Sequence, residues 1–401
     1  MPGQRIEAFI TPALMMWARE RAGLSPEEAA RRFGKTADVL QAWEDGAKRP
    51  TMNQARDLAL LYGQPLGVFY LEQPPKEPPP PTDYRGRGTI EGYSPELLAQ
   101  IRRAHALRDA AVDLAEEDDH PFPPIPVRAK LGDAPAAVAA RIRAWLGAPV
   151  GLPKPWASAA EAFKWWRAQI EHRGVLVFII RKIDQQDMSG FTLAFDTAPV
   201  VGINGSDGSS RKLFSLLHEI AHVALRTDGV SAIEDGFDVP SSSAKIEIFC
   251  NAVAAHALLP TDDIRRHPLV AERAAAHGRA WTDEDIRTIA GDFGVSQEVA
   301  YLRMIDIGVA DRAAYARWRR LLSSPKPEPE GRRKGGPDYY RLKIHDLGLP
   351  YLQRVFDAYH SKTITLADVC GYLGVRADTA HKLEAKVGQV VGAQDGFQIR
   401  G

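Results

Sequence analysis

Apolar positions over about the first 70 residues recur at three- and four-residue intervals. "ITPALMMWARERAG" carries such a stripe and stops at Gly23, "LSPEEAARRFG" stops at Gly34, and "KTADVLQAWEDG" stops at Gly46. This is the helical period, and glycine is the residue that most readily takes the left-handed conformation past a helix end. Ser25 is placed to cap the second helix, Pro26 suits its first position, and Glu28 stands three residues after the serine, as a capping box requires. The pattern continues through "KRPTMNQARDLALLYG" and "PLGVFYL". An all-helical unit is expected, containing two short helices joined by a tight turn, a shape that fits a major groove.

Further along, the period changes. "GVLVFII" (Gly174–Ile180), "SGFTLAF" (Ser189–Phe195) and "APVVGIN" (Ala198–Asn204) are rich in β-branched and aromatic residues and are expected to be strands. A polar turn, "GSDGSS", then opens a helix near Ser209 or Ser210 that runs through Leu213, Leu217, Ala221 and Leu225 and ends in "RTDG" before Gly229. "SSSAKIEIFCNAVAAHALLP" is a second strong helix, ended by Pro260. Segments around residues 23–44, 282–305 and 363–386 all have the look of a helix-turn-helix. The pair in "WTDEDIRTIAGDFGVSQEVAYLRM" could close a cleft or simply pack.

Two stretches carry no such pattern. "EQPPKEPPPPTDYRGRG" (Glu72–Gly88) holds six prolines and is expected to be an extended connector. "SSPKPEPEGRRKGGPD" (Ser323–Asp338) is too polar to pack a core. The expected organisation is multi-domain and mainly α: an all-α unit at 1–73, a Pro-rich linker at 74–88, an α+β domain at 89–315, a polar linker at 316–338 and a helical domain at 339–401.

Composition narrows this picture. Lys+Arg and Asp+Glu are both 51, so the chain is not polybasic and any nucleic-acid contact must come from a local patch. Two cysteines, Cys250 and Cys370, make no disulfide framework, and a reducing cytoplasm is the simplest setting. The N-terminus lacks an apolar run of signal-peptide length, and no segment is apolar for long enough to span a bilayer, so no membrane role is expected.

The chemistry concentrates in "SLLHEIAHVAL", where three titratable groups interrupt the driest helix. His218 and His222 are four apart and project from one helical face, with Glu219 beside it. Burying a polar group without a partner costs about 1–3 kcal/mol, and a metal ion is the economical partner for three of them. This H-E-x-x-H spacing lets two imidazoles reach one ion at about 2.0–2.1 Å and leaves Glu219 to handle the attacking water. A zinc site of this kind takes a third protein ligand. The long form of the motif needs glycine at 225 and histidine at 228, where this chain has Leu225 and Asp228. The second helix offers Glu247, Asn251 and His256. Glu247 is favoured as a hard oxygen ligand, and Asn251, one turn on, could support a ligand from behind. The loop carboxylates Asp235 and Asp238 are the alternatives.

In the N-terminal unit the groove-facing candidates are Lys35, Thr36, Asp38 and Gln41, while Lys48 and Arg49 could hold phosphates. Against DNA stand Asp38, Glu44 and Asp45, whose charges would repel phosphate. The W-E-x-G-x-x-x-P-T signature, at Trp43, Glu44, Gly46, Pro50 and Thr51, resembles the xenobiotic-response-element, lambda repressor-like helix-turn-helix family. That resemblance implies DNA as a partner.

"RKLFSLLHEIAHVAL" followed by "EIFCNAVAAHALLP" is similar to the ImmA/IrrE metallopeptidases, in which a helix-turn-helix often precedes a zincin-like domain. The resemblance implies one Zn2+ per chain, with Mn2+ as a substitute. It also implies ligands at His218, His222 and Glu247 and a catalytic Glu219. Such enzymes typically cleave a transcriptional repressor and so release stress-response or mobile-element genes. A homodimer is a further expectation. The competing reading is a DNA-binding regulator whose zincin-like domain senses a metal or ligand without proteolysis.

Overall fold

The computed structural model describes residues 6–64, 66–75, 81–83, 93–148, 156–231, 242–275, 281–322 and 338–398. Contacts divide the chain into two compact units, one of residues 1–80 and 89–103, the other of residues 81–88 and 104–401.

The first unit holds α1 (Pro12–Arg21), α2 (Pro26–Phe33), α3 (Ala37–Glu44) and α4 (Met52–Tyr62), followed by a short 3-10 turn at Leu66–Tyr70. Ser25 and Glu28 form the expected capping box, and Gly34 closes α2 in the left-handed conformation. Met15, Ala18, Leu40, Leu58, Tyr62 and Phe69 make its core. Through that core runs an ion pair. Arg19 Nε donates to Glu44 Oε1 at 2.7 Å and its terminal nitrogen to Glu44 Oε2 at 3.0 Å. Arg19 also reaches the carbonyl of Leu24 at 2.9 Å. Glu44 is therefore an internal strut between α1 and α3, and the expectation that it would repel phosphate is corrected.

The second unit is built on a sheet of order β1-β5-β3-β4-β2. Its strands are β1 (Thr82–Asp83), β2 (Leu176–Ile180), β3 (Gly190–Leu193), β4 (Val200–Asn204) and β5 (Gly229–Ser231). β2 runs parallel to β4, whereas β3 is antiparallel to both β4 and β5. Phe191 pairs with Gly202 across β3 and β4, and a Cβ on Gly202 would lie 2.2 Å from the Phe191 ring, so only glycine admits that ring.

Two of these strands depart from the expectation. β5 starts at Gly229, where the helix is expected to have ended, and continues into Val230 and Ser231, for which the pattern gives no element. β1 lies in the Pro-rich connector, where Thr82 and Asp83 pair in parallel with Gly229 and Val230. Prolines have no N–H to donate; Thr82 and Asp83 follow the last of them and can join a ladder.

Around the sheet lie α5 (Pro95–Glu117), whose first residues fall in the other unit, α6 (Pro135–Leu146), α7 (Ala159–His172), α8 (Ser209–Leu225) and α9 (Ser242–Leu258). Then follow α10 (Thr261–Arg266), α11 (Pro268–Ala275), α12 (Asp283–Phe293), α13 (Gln297–Asp306) and α14 (Arg312–Leu322). α15 (Tyr339–Leu347), α16 (Leu349–His360), α17 (Leu366–Leu373) and α18 (Ala377–Gln398) end the chain. Ile289, Phe293, Ala300 and Met304 of the α12–α13 pair are part of the main core, so that pair packs. α8 lies on β3 and β4 and between α7 and α9, which explains why it is buried without a break from Ser215 to Ala224. No helix among the described residues is long and apolar enough to cross a membrane.

Candidate metal centre

α8 follows β4 after a four-residue polar turn, and Leu213, Leu216, Leu217, Ile220 and Val223 anchor it in the core. Burying a leucine or isoleucine side chain stabilises by about 1.5–3 kcal/mol, enough in sum to hold polar residues among them. His218, Glu219 and His222 are all 0 % exposed. Their positions at this depth are set by the register of the helix on the sheet.

From the facing helix, Glu247 reaches the two imidazoles. His218 Nε2 lies 3.2 Å from Glu247 Oε2, and His222 Nε2 lies 3.1 Å from Glu247 Oε1. The two Nε2 atoms are 3.1 Å apart. One ligand atom from each of the three residues falls within 4.8 Å of the others, the only such trio of metal-ligating groups among the described residues. The rings are oriented from behind. His218 Nδ1 donates to Asn251 Oδ1 at 2.9 Å, and His222 Nδ1 lies 3.1 Å from Thr227 Oγ1. Each ring thus turns Nε2 to a common point, as metal-binding histidines do when the other nitrogen is occupied. Two imidazole nitrogens and a carboxylate suit Zn2+.

The charges are strongly coupled. Burial opposes the charged form of His218, yet the Glu247 carboxylate, Glu219 and Asn251 outweigh it and raise its pKa. Burial likewise opposes ionisation of Glu247, and the two histidines overcome it, so its carboxyl titrates below the usual range.

Glu219 stands outside the trio. Burial raises its pKa, against the pull of His222 and His218. Thr192 Oγ1 on β3 donates to Glu219 Oε2 at 2.6 Å, while Oε1 is buried without a hydrogen-bond partner among the described residues. Gly190 makes room for it: a Cβ there would lie 2.6 Å from Oε1.

Sequence reasoning did not find Thr192, Thr227 or Ser231, whose Oγ lies 3.5 Å from both His222 Nε2 and Glu247 Oε1. Asp235 and Asp238, the alternative ligands, lie outside the described residues. His256, on α9, is half-buried and not part of the trio, and burial lowers its pKa. Both cysteines are free, and burial raises the Cys250 thiol.

In the N-terminal unit, Lys35, Thr36, Asp38, Gln41, Lys48 and Arg49 are all exposed. Thr36 is the residue before α3 and makes no side-chain cap. Gln41 Nε2 donates to Asp45 Oδ1 at 3.2 Å along the helix, and the Arg49 guanidinium lies 4.1 Å from the centre of the Phe9 ring.

One chain thus holds an all-helical unit and an α+β unit whose buried helix carries H-E-x-x-H. Residues 170–304 match the family model of the IrrE N-terminal-like domain, a peptidase family, and residues 14–67 match that of a helix-turn-helix domain. The chain therefore carries both parts of the architecture that its motifs resemble. No curated protein matches it.

Proposed function

We propose that this protein is a metal-dependent regulatory endopeptidase that cuts a transcriptional repressor, with an N-terminal unit that binds DNA. The observation that carries this reading is the convergence of His218, His222 and Glu247 at one buried point beside a carboxylate that is not part of the trio.

His218, His222 and Glu247 would hold the ion, Zn2+ by donor type with Mn2+ as a substitute, and Asn251 and Thr227 keep the two rings turned towards it. Bound there, the ion would supply a Lewis acid for a scissile carbonyl and would lower the pKa of water towards about 7. Glu219 supplies the base. Held through Oε2 by Thr192, it keeps Oε1 free to take a proton from the attacking water and pass it to the leaving amine. The exposed polar residues of α3 and the lysine and arginine after it suit contact with base edges and phosphates.

The test is capture of the uncut partner with full-length Glu219→Gln protein, followed by exposure of that partner to the parent chain. Cleavage that needs stoichiometric metal and stops with a chelator supports the reading. Metal without cleavage of any captured partner replaces it with the metal-sensing regulator.

A further inference from the structure

A cavity lies away from the H-E-x-x-H helix, where α16 meets the start of β2, and no residue of α8 lines it. It measures about 180 Å³ and is partly open. A single buried water needs only about 10–15 Å³ on the same measure, so this space takes a molecule of several heavy atoms.

Its walls are built rather than accidental. Gly174, at φ +87°, lets Phe122 and Pro123 approach: a Cβ there would lie 3.2 Å from the Pro123 ring. Gly348, at φ +82°, does the same for Glu171, whose Oε1 would lie 2.5 Å from a Cβ. Arg167 ties the rear together. Its Nε donates to Glu171 Oε1 at 2.8 Å, one terminal nitrogen donates to the Val177 carbonyl at 2.7 Å, and the other bonds to the His345 carbonyl. The Glu171 charge is thereby matched by Arg167.

Arg354 is different. It lines the same cavity, and its guanidinium lies 4.8 Å from the centre of the Phe122 ring, another lining residue. It makes no hydrogen bond or ion pair among the described residues. Asp118 and Asp357 are near enough to favour its charge, and burial opposes it. A half-buried guanidinium stacked on an aromatic ring, with its donors uncommitted, suits a carboxylate, which matches the guanidinium fork with two parallel hydrogen bonds. Tyr351, Leu176, Leu347 and Pro350 supply an apolar surround. A few polar groups in a mostly apolar concavity is the usual make-up of a small-molecule site.

We infer that this cavity binds a small organic carboxylate with an aromatic or branched apolar body, held by Arg354 and Phe122. The site would make this chain responsive to a metabolite-sized acid independently of its metal chemistry.

The experiment uses the full chain. Benzoate, phenylacetate and isovalerate are titrated by ligand-observed NMR and thermal shift, with benzamide as the neutral counterpart and inorganic phosphate as an anion lacking an apolar body. At least one of the three carboxylates is expected to bind and to raise the melting temperature by a few degrees at saturation. Benzamide and phosphate are expected to bind at least tenfold more weakly. Arg354→Gln should weaken the carboxylate at least tenfold, and Arg354→Lys should fall between, because it keeps the charge and loses the fork. Unchanged melting of the ligand-free variants shows that they fold. The inference is overturned if none of the carboxylates binds at millimolar concentration, if benzamide binds as well as benzoate, or if Arg354→Gln binds like the parent.

Discussion

α8 and α3 use polar residues in opposite ways. His218, Glu219 and His222 on α8 are 0 % exposed, and each is gripped by a side chain from outside the helix. Thr36, Asp38 and Gln41, at the start of and along α3, are exposed, and among the described residues only Gln41 of the three has a side-chain hydrogen bond, to Asp45 four residues on. Burial makes the first set expensive without partners, so geometry and chemistry constrain each other there. Exposure makes the second set nearly free of structural cost. The fold itself therefore says little about what that set meets.

The comparison breaks most visibly at the metal. His218→Ala or His222→Ala should abolish stoichiometric zinc, because two remaining donors do not make a structural or catalytic site. Glu247→Gln should lose or weaken it. Elemental analysis after dialysis measures all three, and equal metal in the variants and parent would sink the assignment.

Glu219→Gln should keep the metal and lose cleavage, by about 10²- to 10⁴-fold for a general base. If it instead loses metal while Glu247→Gln retains it, the two carboxylates exchange roles. On the N-terminal side, the largest effect should come from inside. Arg19 and Glu44 are 8 % and 2 % exposed at their side chains. Arg19→Met leaves the Glu44 carboxylate buried and unpaired, which costs about 3–5 kcal/mol. Denaturant unfolding of the N-terminal transition, followed by Trp43 fluorescence, reads it. A smaller effect is expected at Thr192. Thr192→Val removes one charge-assisted hydrogen bond to Glu219, worth about 1.5–3 kcal/mol. It should slow turnover of the captured partner roughly tenfold or more while leaving metal content and KM near those of the parent.

How much of this was legible in the sequence follows from the same contrast. The i, i+4 histidines and the carboxylate between them could be read from spacing, because helical geometry alone puts the two rings on one face. Glu247 could be ranked above its neighbours by donor type, but its meeting with both rings depends on how α9 packs on α8. Thr192 lies 27 residues from Glu219 and on another element. Only the antiparallel pairing of β3 with β4 and β5 brings it there, and a threonine in a strand gives no signal of its own. Ser231 was hidden for the same reason, since β5 has three residues and too little pattern to stand out. Glu44 was misread because a charged residue at the end of a helix ordinarily faces solvent, and its partner, Arg19, is 25 residues away.

The smallest effects belong to α3, and they sharpen the comparison because they should appear in binding alone. Gln41 is exposed, and its amide is spent only on Asp45, 3.2 Å away, a bond it can exchange for an adenine edge at little cost. A bidentate contact of that kind discriminates against the wrong base by about 1–3 kcal/mol. Lys48 can reach only the backbone, which carries no sequence information. Gln41→Ala should therefore relax sequence preference. Lys48→Ala should weaken binding to all sequences and reduce the salt slope by about one. Neither should alter metal content or stability, since neither side chain is part of the core. Gel shifts with genomic fragments from around the protein's own gene, repeated over a range of salt, separate the two. If no fragment binds better than competitor DNA even at low salt, the exposed face of α3 meets a protein, and the regulator is a peptidase with a targeting head.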